Sequence, residues 1–268
     1  MNETVLVLSL LNIKGWGPNK VHAFIAKCNF DYNLALEKIN ELKNEEQSQF
    51  YANITTSERI IKDNYDCNVG IITLLDSRFP AKLYDSTEKC VLLYYKGNIN
   101  LLNRPSITII GTRYPSDFFI NKGKDIVNKV ATKHYVVVSG LAIGCDYIAH
   151  KSCLEAQGYT IAVLPSPCDN PQPASNSKLA DAIVANGGLL ISEYGHDSIV
   201  SKYNYPQRDR IQSLLSSTTI VIQATDNSGT MIAVKKSLAD NKKVFALKGN
   251  NILLINDYID VEDVDYIL

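Results

Sequence analysis

The chain has 268 residues, of which 46% are apolar, and a formal net charge of −1. This length is enough for one large hydrophobic core, or for a large and a small one. No window reaches the ~18 apolar residues that a membrane helix needs, so a membrane protein is excluded. A near-neutral chain has no global field for a polyanion, and any nucleic-acid surface must therefore be a local patch.

The cysteines predict neither disulfides nor a metal centre. The six cysteines are scattered, none forms a C-x-x-C pair, and no histidine lies at zinc-ligand spacing. This usage is typical of reduced thiols in a cytoplasmic protein that needs no metal or cofactor. The N-terminal segment carries Glu3 and lacks a basic region and a cleavage site, so it does not resemble a secretory signal.

Residues 1–65 are predicted to form a small helical module. Apolar residues recur at helical spacing on both sides of a break at residues 13–18, which contains Gly15, Gly17 and Pro18. The break resembles a helix–hairpin–helix turn, in which glycines let a phosphate approach backbone amides. An ordinary helix–helix turn with Pro18 at a helix start is the favoured interpretation of this break.

Residues 66–100 contain two β-type runs, 69–75 and 91–95, which we expect to flank a main sheet. From residue 105, strands and helices alternate. Near-continuous β-branched strands that alternate with helices are typical of a parallel sheet covered on both faces. The fold class is therefore α/β, with an extended Rossmann-like doubly wound, mostly parallel sheet over residues 66–250 and an acidic tail over residues 251–268. Strands are expected at 107–110, 135–138, 160–164, 189–191, 218–222 and 243–247, and helices near 117–132, 145–157, 176–186, 206–216 and 229–239.

Three strand-to-helix turns, at residues 107–113, 135–150 and 220–230, have the pattern of an anion site. The first N–H groups of a helix lack intrahelical partners, and the helix dipole adds positive potential. In a doubly wound sheet the ligand lies beyond the carboxyl ends of the strands. In the first turn Gly111 permits a close approach, and the guanidinium of Arg113 suits phosphate oxygens.

The second turn, SGLAIGCDYIAH, offers a hydroxyl at Ser139 and backbone donors at Gly140 and Gly144. Asp146 and His150 lie four residues apart on one helix face. They form either an acid–base pair or a structural pair that fixes the loop. The structural reading is favoured because no nucleophile is evident beside them.

Two further segments could hold phosphates. Arg208 and Arg210 stand in the first turn of a helix, where cations oppose the dipole and therefore suggest a purpose such as gripping a phosphate chain. Ser228, Gly229 and Thr230 can cap the next helix and donate to an anion. The motifs of P-loop NTPases, α/β-hydrolases, zincins and NAD dehydrogenases are absent from the sequence.

Five segments in order, ITIIGTR, VVVSGLAIGCDYIAH, GGLLISE, YPQRDR and NSGTMIA, resemble the DNA-processing protein A (DprA/Smf) family. The resemblance covers about residues 68–248 well and residues 1–65 loosely. It implies a non-enzymatic protein that binds single-stranded DNA without sequence preference, forms a homodimer and loads the RecA recombinase in natural transformation. By position, it places the DNA backbone against Arg113, Ser139, Gly140, Gly144, Arg208, Arg210, Ser228, Gly229 and Thr230, with Lys178 added. The family's usual R-N-R is Arg208-Asp209-Arg210 here, which puts an acid among the expected phosphate ligands.

Two other functions stay open on the same architecture. A nucleoside-monophosphate phosphoribohydrolase of the LOG-like class resembles P-G-G-x-G-T-x-x-E at the last turn, but Ala233 stands where that glutamate would be. A small-nucleotide sensor would use the same phosphate turns without DNA.

Overall fold

The computed structural model describes residues 1–84 and 86–267. The helices are Glu3–Leu11 (α1), Pro18–Lys27 (α2), Tyr32–Ile39 (α3), Asn44–Asp66 (α4), Ala81–Tyr84 (α5), Asp117–Thr132 (α6), Cys145–Glu155 (α7), Ser177–Ala185 (α8), Asn204–Leu215 (α9), Thr230–Ala239 (α10) and Val264–Ile267 (α11), with 3₁₀ turns at Ile99–Asn103 and Ala174–Asn176. The strands are Gly70–Thr73 (β1), Leu92–Gly97 (β2), Ser106–Ile110 (β3), Val136–Ser139 (β4), Thr160–Leu164 (β5), Leu189–Ser192 (β6), Thr218–Val221 (β7), Lys243–Leu247 (β8) and Tyr258–Ile259 (β9).

The strands form one nine-stranded sheet in the order β1-β2-β6-β5-β4-β3-β7-β8-β9. From β6 to β9 all neighbours are parallel, and β1 and β2 add two antiparallel strands at one edge. The chain runs outward from β3 through β4, β5 and β6, then returns to place β7 on the other side of β3. The extended Rossmann-like sheet expected from the sequence is confirmed, and its switch point lies between β3 and β7.

Complete burial explains why the central strands read as uninterrupted apolar runs. Every residue of β3, β4, β5, β6 and β7 is buried. Ile107 and Ile109 of β3 pack with Phe119 and Ile126 of α6 on one face, while Ile110 packs with helix α10 on the other. Side chains of successive strand residues point to opposite faces, so helices on both sides are needed to exclude water.

Helices α1 to α4 occupy the segment predicted as a helical module, but they share the core of the sheet. Leu6 of α1, Phe50 of α4 and Ile72 of β1 belong to one continuous apolar cluster. The hydroxyls of Ser9 and Ser57, both buried, lie 3.0 Å apart between α1 and α4. Both helices pack against β1. The N-terminal helices therefore pack into the same hydrophobic core as this side of the sheet.

The C-terminal segment is built into the sheet. Residues 258–259 pair in parallel with β8, which the sequence analysis missed because two residues give no periodic signal. Its acids pair with lysines of α6: Lys122 Nζ lies 2.6 Å from Asp260 Oδ1 and Lys129 Nζ lies 3.1 Å from Asp265 Oδ2. Within residues 1–84 and 86–267, no helix has the length and apolarity to span a bilayer.

The shared core makes a prediction about cooperativity. Trp16 is the chain's single tryptophan, is 5% exposed and lies in the N-terminal region, so its fluorescence reports on that region alone. We expect denaturant unfolding followed by Trp16 fluorescence and by far-ultraviolet circular dichroism to coincide. Phe50→Ala, which empties a fully buried site, should lower both free energies of unfolding by about 3–5 kcal/mol. An earlier fluorescence transition would show that the N-terminal helices unfold separately.

Candidate functional site

A groove of about 450 Å³ lies at the switch point, beyond the carboxyl ends of β3 and β7. This is where doubly wound sheets bind ligands, because the loops diverge there to opposite faces. Four segments contribute: the turn after β3, the segment from the turn after β4 into α7, the first three turns of α9, and the turn that begins α10. The lining residues are Ile110, Gly111, Thr112, Arg113, Tyr114, Ala142, Asp146, Tyr205, Pro206, Arg208, Asp209, Gln212, Ser228, Gly229, Thr230, Ile232 and Ala233.

The turn after β3 is fixed by its neighbours. The Thr112 amide donates to the Gln223 carbonyl at 2.7 Å, and the Cys145 amide donates to the Thr112 carbonyl at 3.0 Å. A Cβ at Gly111 would lie 2.5 Å from the Cys145 sulfur, so a larger residue would push the turn away from α7. This clamp presents Arg113 to solvent. Among the described residues, Arg113 forms no hydrogen bond or ion pair, which leaves its guanidinium available to a ligand.

Arg208 lies under the turn after β4 and is only 7% exposed. Its Nη1 donates to the carbonyls of Gly140 and Val163, the latter at 3.0 Å. A Cβ at Gly140 would overlap the guanidinium, so this position needs glycine. Arg208 thereby joins α9 to the ends of β4 and β5.

Two carboxyl groups balance the charge of Arg208. Asp209 Oδ1 lies 2.9 Å from Arg208 Nε. Asp146, in the first turn of α7, accepts from the amides of Gly140 at 3.2 Å and Ala142 at 3.3 Å. Burial raises the pKa of both carboxyls, and the nearby Arg208 guanidinium opposes that shift.

His150 fixes the loop from the opposite side. Its Nδ1 lies 2.7 Å from the Thr160 hydroxyl, which itself donates to the Val137 carbonyl. Nδ1 is therefore the protonated nitrogen, and Nε2 accepts from the Leu141 amide at 3.3 Å. Complete burial lowers the pKa of His150 to about 3, with a further contribution from Arg208. A neutral, fully hydrogen-bonded imidazole fits the structural reading better than the acid–base one.

The turn before α10 supplies unpaired donors. The side-chain oxygen of Ser228 is buried and has no hydrogen-bond partner among the described residues. Within the described residues, the backbone amides of Gly229 and Thr230 also have no hydrogen-bond acceptor. These donors meet the dipole of a ten-residue helix, an arrangement that favours an anion.

The groove coincides with the part of the chain that matches a known family. The model of the family described as DNA recombination-mediator protein A matches residues 70–253. The chain belongs to the DNA recombination-mediator protein A family. It is 36% identical over 181 residues to DNA processing protein DprA of Streptococcus pneumoniae, a match that covers 66% of this chain and 62% of that relative. It is 32% identical over 218 residues to DprA of Bacillus subtilis, covering 80% and 70% of the two chains.

The match with curated family members is partial in length, because it spans 47% of protein Smf of Escherichia coli, at 33% identity and 65% of this chain. Solved family structures share the fold. The X-ray structure of DprA from S. pneumoniae has a TM-score of 0.67 at 25% identity, covering 91% of this chain and 83% of that one. DNA processing protein A from Helicobacter pylori, whose structure concerns its single-stranded DNA binding mode, has a TM-score of 0.66 at 26% identity, covering 74% and 95%.

Of the residues expected from the family motifs, the fold brings one set together. The groove is lined by Gly111, Arg113, Asp146, Arg208, Ser228, Gly229 and Thr230. Gly140 lies directly behind Arg208 and makes room for it.

Besides Gly140, four expected DNA ligands are absent from the groove lining, contrary to the sequence prediction. Ser139 is fully buried, and its hydroxyl donates to the Ile109 carbonyl at 2.7 Å. Gly144 has φ +80° and packs so tightly on the Arg113 backbone that a Cβ would lie 2.5 Å from the Arg113 carbonyl carbon. It shapes the loop instead of facing the groove. Lys178 is exposed on α8 and is absent from the lining.

Arg210 is the fourth and the largest departure. Two residues along a helix rotate a side chain by about 200°, so Arg208 and Arg210 point to opposite sides of α9. Arg210 is 7% exposed, with Nη2 2.5 Å from Glu193 Oε1 and Nε 3.6 Å from Glu88 Oε2. Its charge is balanced by carboxylates of the protein itself. The prediction that Arg113, Arg208 and Arg210 converge on one groove is therefore wrong.

The sequence analysis also missed lining residues. Tyr114, which is 82% exposed, follows the G-T-R motif directly, and this adjacency was the available signal. Tyr205, which opens the YPQRDR segment and could stack on bases, also lines the groove. No sequence signal marked Gln212, which reaches the groove because it lies one helical turn after Arg208 on α9.

His150 predicts a pH dependence of stability. Its folded pKa of about 3 lies below its ordinary value of 6.5, so below pH 6.5 the unfolded state binds a proton that the folded state excludes. The neutral, buried His150 therefore does not lower the free energy of unfolding above pH 6.5, but it lowers this free energy progressively as the pH falls from 6.5 toward 3. Between pH 7 and pH 5 the free energy of unfolding of the natural chain should fall by about 2 kcal/mol more than that of His150→Gln. Urea titrations at the two pH values measure this, and equal losses would show that His150 is not held neutral.

Proposed function

We propose that the chain binds single-stranded DNA without sequence preference, by holding its phosphate backbone in the switch-point groove. Family membership supports the proposal, as does the H. pylori relative, whose structure concerns single-stranded DNA binding. The match covers 62% of the S. pneumoniae relative, and the proposed activity therefore rests on this chain's own residues.

The observation that carries the proposal is a set of donors without protein acceptors in the same groove as an exposed arginine. Among the described residues, the Ser228 hydroxyl and the Gly229 and Thr230 amides lack protein acceptors, and Arg113 lines the same groove. Amides, hydroxyls and guanidinium groups recognise phosphate oxygens, which are the same for every base. Binding should therefore be independent of sequence. It should weaken as the salt concentration rises, because binding releases counterions from the DNA and this release is less favourable at high salt.

Aromatic side chains at the groove favour a single strand over a duplex. Tyr114 is 82% exposed, and Tyr205 is half-buried in the lining. Unpaired bases expose their faces and can stack on such rings, whereas paired bases cannot.

Arg113 and Arg210 make a matched pair of tests. Arg113→Ala should weaken oligo-dT binding about five- to tenfold and reduce the slope of log K against log salt by about 1, because one phosphate contact is lost. Arg210→Gln and Lys178→Ala, which lie off the groove, should leave the affinity within about twofold. Fluorescence anisotropy at several salt concentrations measures these values.

Three measurements discriminate between this function and its rivals: the anisotropy titration, thermal stabilisation by nucleotides, and hydrolysis of AMP. A salt-independent affinity, or an Arg113→Ala affinity equal to that of the natural chain, would contradict the proposal. Thermal stabilisation by mononucleotides but not by oligonucleotides would favour a small-nucleotide sensor. Release of free base from AMP would favour the phosphoribohydrolase.

Substitution of Asp209 should increase DNA affinity, in contrast to substitution of Arg113. The carboxylate lines the groove and lies beside Arg208, so it adds negative charge where a phosphate would bind. Asp209→Asn keeps the size of the side chain and removes this negative charge. We expect DNA affinity to rise about fivefold at low salt and this gain to shrink as salt increases. Unchanged affinity at every salt concentration would place the phosphates elsewhere.

We also propose that the chain acts in the cytoplasm as a homodimer and loads the RecA recombinase on the bound strand. These roles rest on family membership alone. Light scattering of the purified chain tests the homodimer. DNA-dependent ATP hydrolysis by RecA, on strands first covered by this protein, tests loading, and inhibition instead of stimulation would count against it.

A further inference from the structure

A cysteine, a histidine and an aspartate meet at a second site, formed by segments distant in sequence. Cys67 follows α4, Asp169 lies in the loop after β5, and His196 lies in the loop after β6. His196 Nδ1 lies 2.6 Å from Asp169 Oδ2 and 3.4 Å from Cys67 Sγ. One ligand atom of each residue lies within 4.8 Å of the others.

The surroundings hold this cluster in position. The amide of His196 donates to Asn64 Oδ1 of α4 at 2.9 Å, which ties the loop to the helix that precedes Cys67. His196 Nε2 lies 3.4 Å from Asp197 Oδ1, a carboxylate that orients the ring from behind. The second oxygen of Asp169, Oδ1, is buried and lacks a hydrogen-bond partner among the described residues. A buried, unpaired carboxylate oxygen beside a thiol and an imidazole is a ready-made ligand.

We propose that Cys67, Asp169 and His196 bind one Zn²⁺ ion, with water as the fourth ligand. Thiolate, imidazole and carboxylate are the ligands that zinc takes, and three protein ligands leave one tetrahedral position open. Zinc ligands at ~2.3 Å for sulfur and ~2.0 Å for nitrogen are about 3.5 Å apart. The 3.4 Å between Sγ and Nδ1 already matches this separation. The carboxylate oxygen needs to move back by about 0.7 Å to give the metal room.

The geometry argues against a catalytic triad of the same residues. In such a triad the nucleophile and the carboxylate contact opposite nitrogens of the histidine. Here Cys67 and Asp169 both face Nδ1. All three groups thus point at one spot, as metal ligands do.

The ion would join the N-terminal helices to the sheet. Cys67 and His196 are 129 residues apart, and a metal that binds only the folded chain raises the free energy of unfolding. None of the three residues lines the groove, so this inference is independent of the proposed DNA binding.

Metal titration of the full, reduced chain tests the site. After removal of metals with a chelator, CoCl₂ should bind one equivalent per chain and give a thiolate-to-cobalt charge-transfer band with the intense visible bands of a four-coordinate ion. ZnCl₂ should displace the cobalt. At a free zinc concentration of about 100 times Kd, Tm should rise by about 5–10 °C.

Variants locate the ion. Cys67→Ser should abolish the charge-transfer band, and His196→Gln and Asp169→Asn should each weaken binding at least about tenfold. His134→Asn is the matched control, because His134 is exposed and Asn accepts its positive φ; its binding should be unchanged. If the natural chain binds one equivalent of cobalt but shows no charge-transfer band, the thiolate is not a ligand and the proposal is wrong. So does an unchanged affinity in folded Cys67→Ser or Asp169→Asn.

Discussion

The buried guanidinium of Arg208 holds the groove together. It donates to carbonyls at the ends of β4 and β5, and two carboxyls, Asp146 and Asp209, lie against or near it. Removing it would leave these carboxyls buried without a counter-charge, which is far more costly than the loss of a surface ion pair. Gly140 is required because any side chain there would displace the guanidinium. One guanidinium group therefore ties the turn after β4 and the end of β5 to helix α9.

Charge in this protein is arranged locally. The net charge of −1 includes arginines with different roles: Arg113 is exposed and forms no hydrogen bond or ion pair within residues 1–84 and 86–267, Arg208 is balanced by two acids, and Arg210 is paired with Glu193. The contribution of a guanidinium to an anion site thus depends on what already surrounds it. For the same reason Asp209 is tolerated in the groove wall, since Arg208 compensates it inside the protein.

The strands and glycine turns could be predicted from the sequence because their signals are local. Strands buried on both faces are nearly continuous apolar runs, and a tight turn such as that at Gly111 requires a residue without Cβ. The fate of Arg210 could not be predicted in this way, because it depends on Glu193 and Glu88, which are distant in sequence. The cluster of Cys67, Asp169 and His196 was missed for the same reason: ligand spacing along the chain says nothing about residues that only the fold brings together.

The two-residue strand β9 has a consequence for solubility. It is the last strand at its side of the sheet, and its two residues present few unpaired N–H and C=O groups of their own. A long, flat edge strand would pair with strands of neighbouring molecules and promote aggregation. Because β9 is short and is followed at once by the acidic side chain of Asp260, it offers an incoming strand few groups with which to pair.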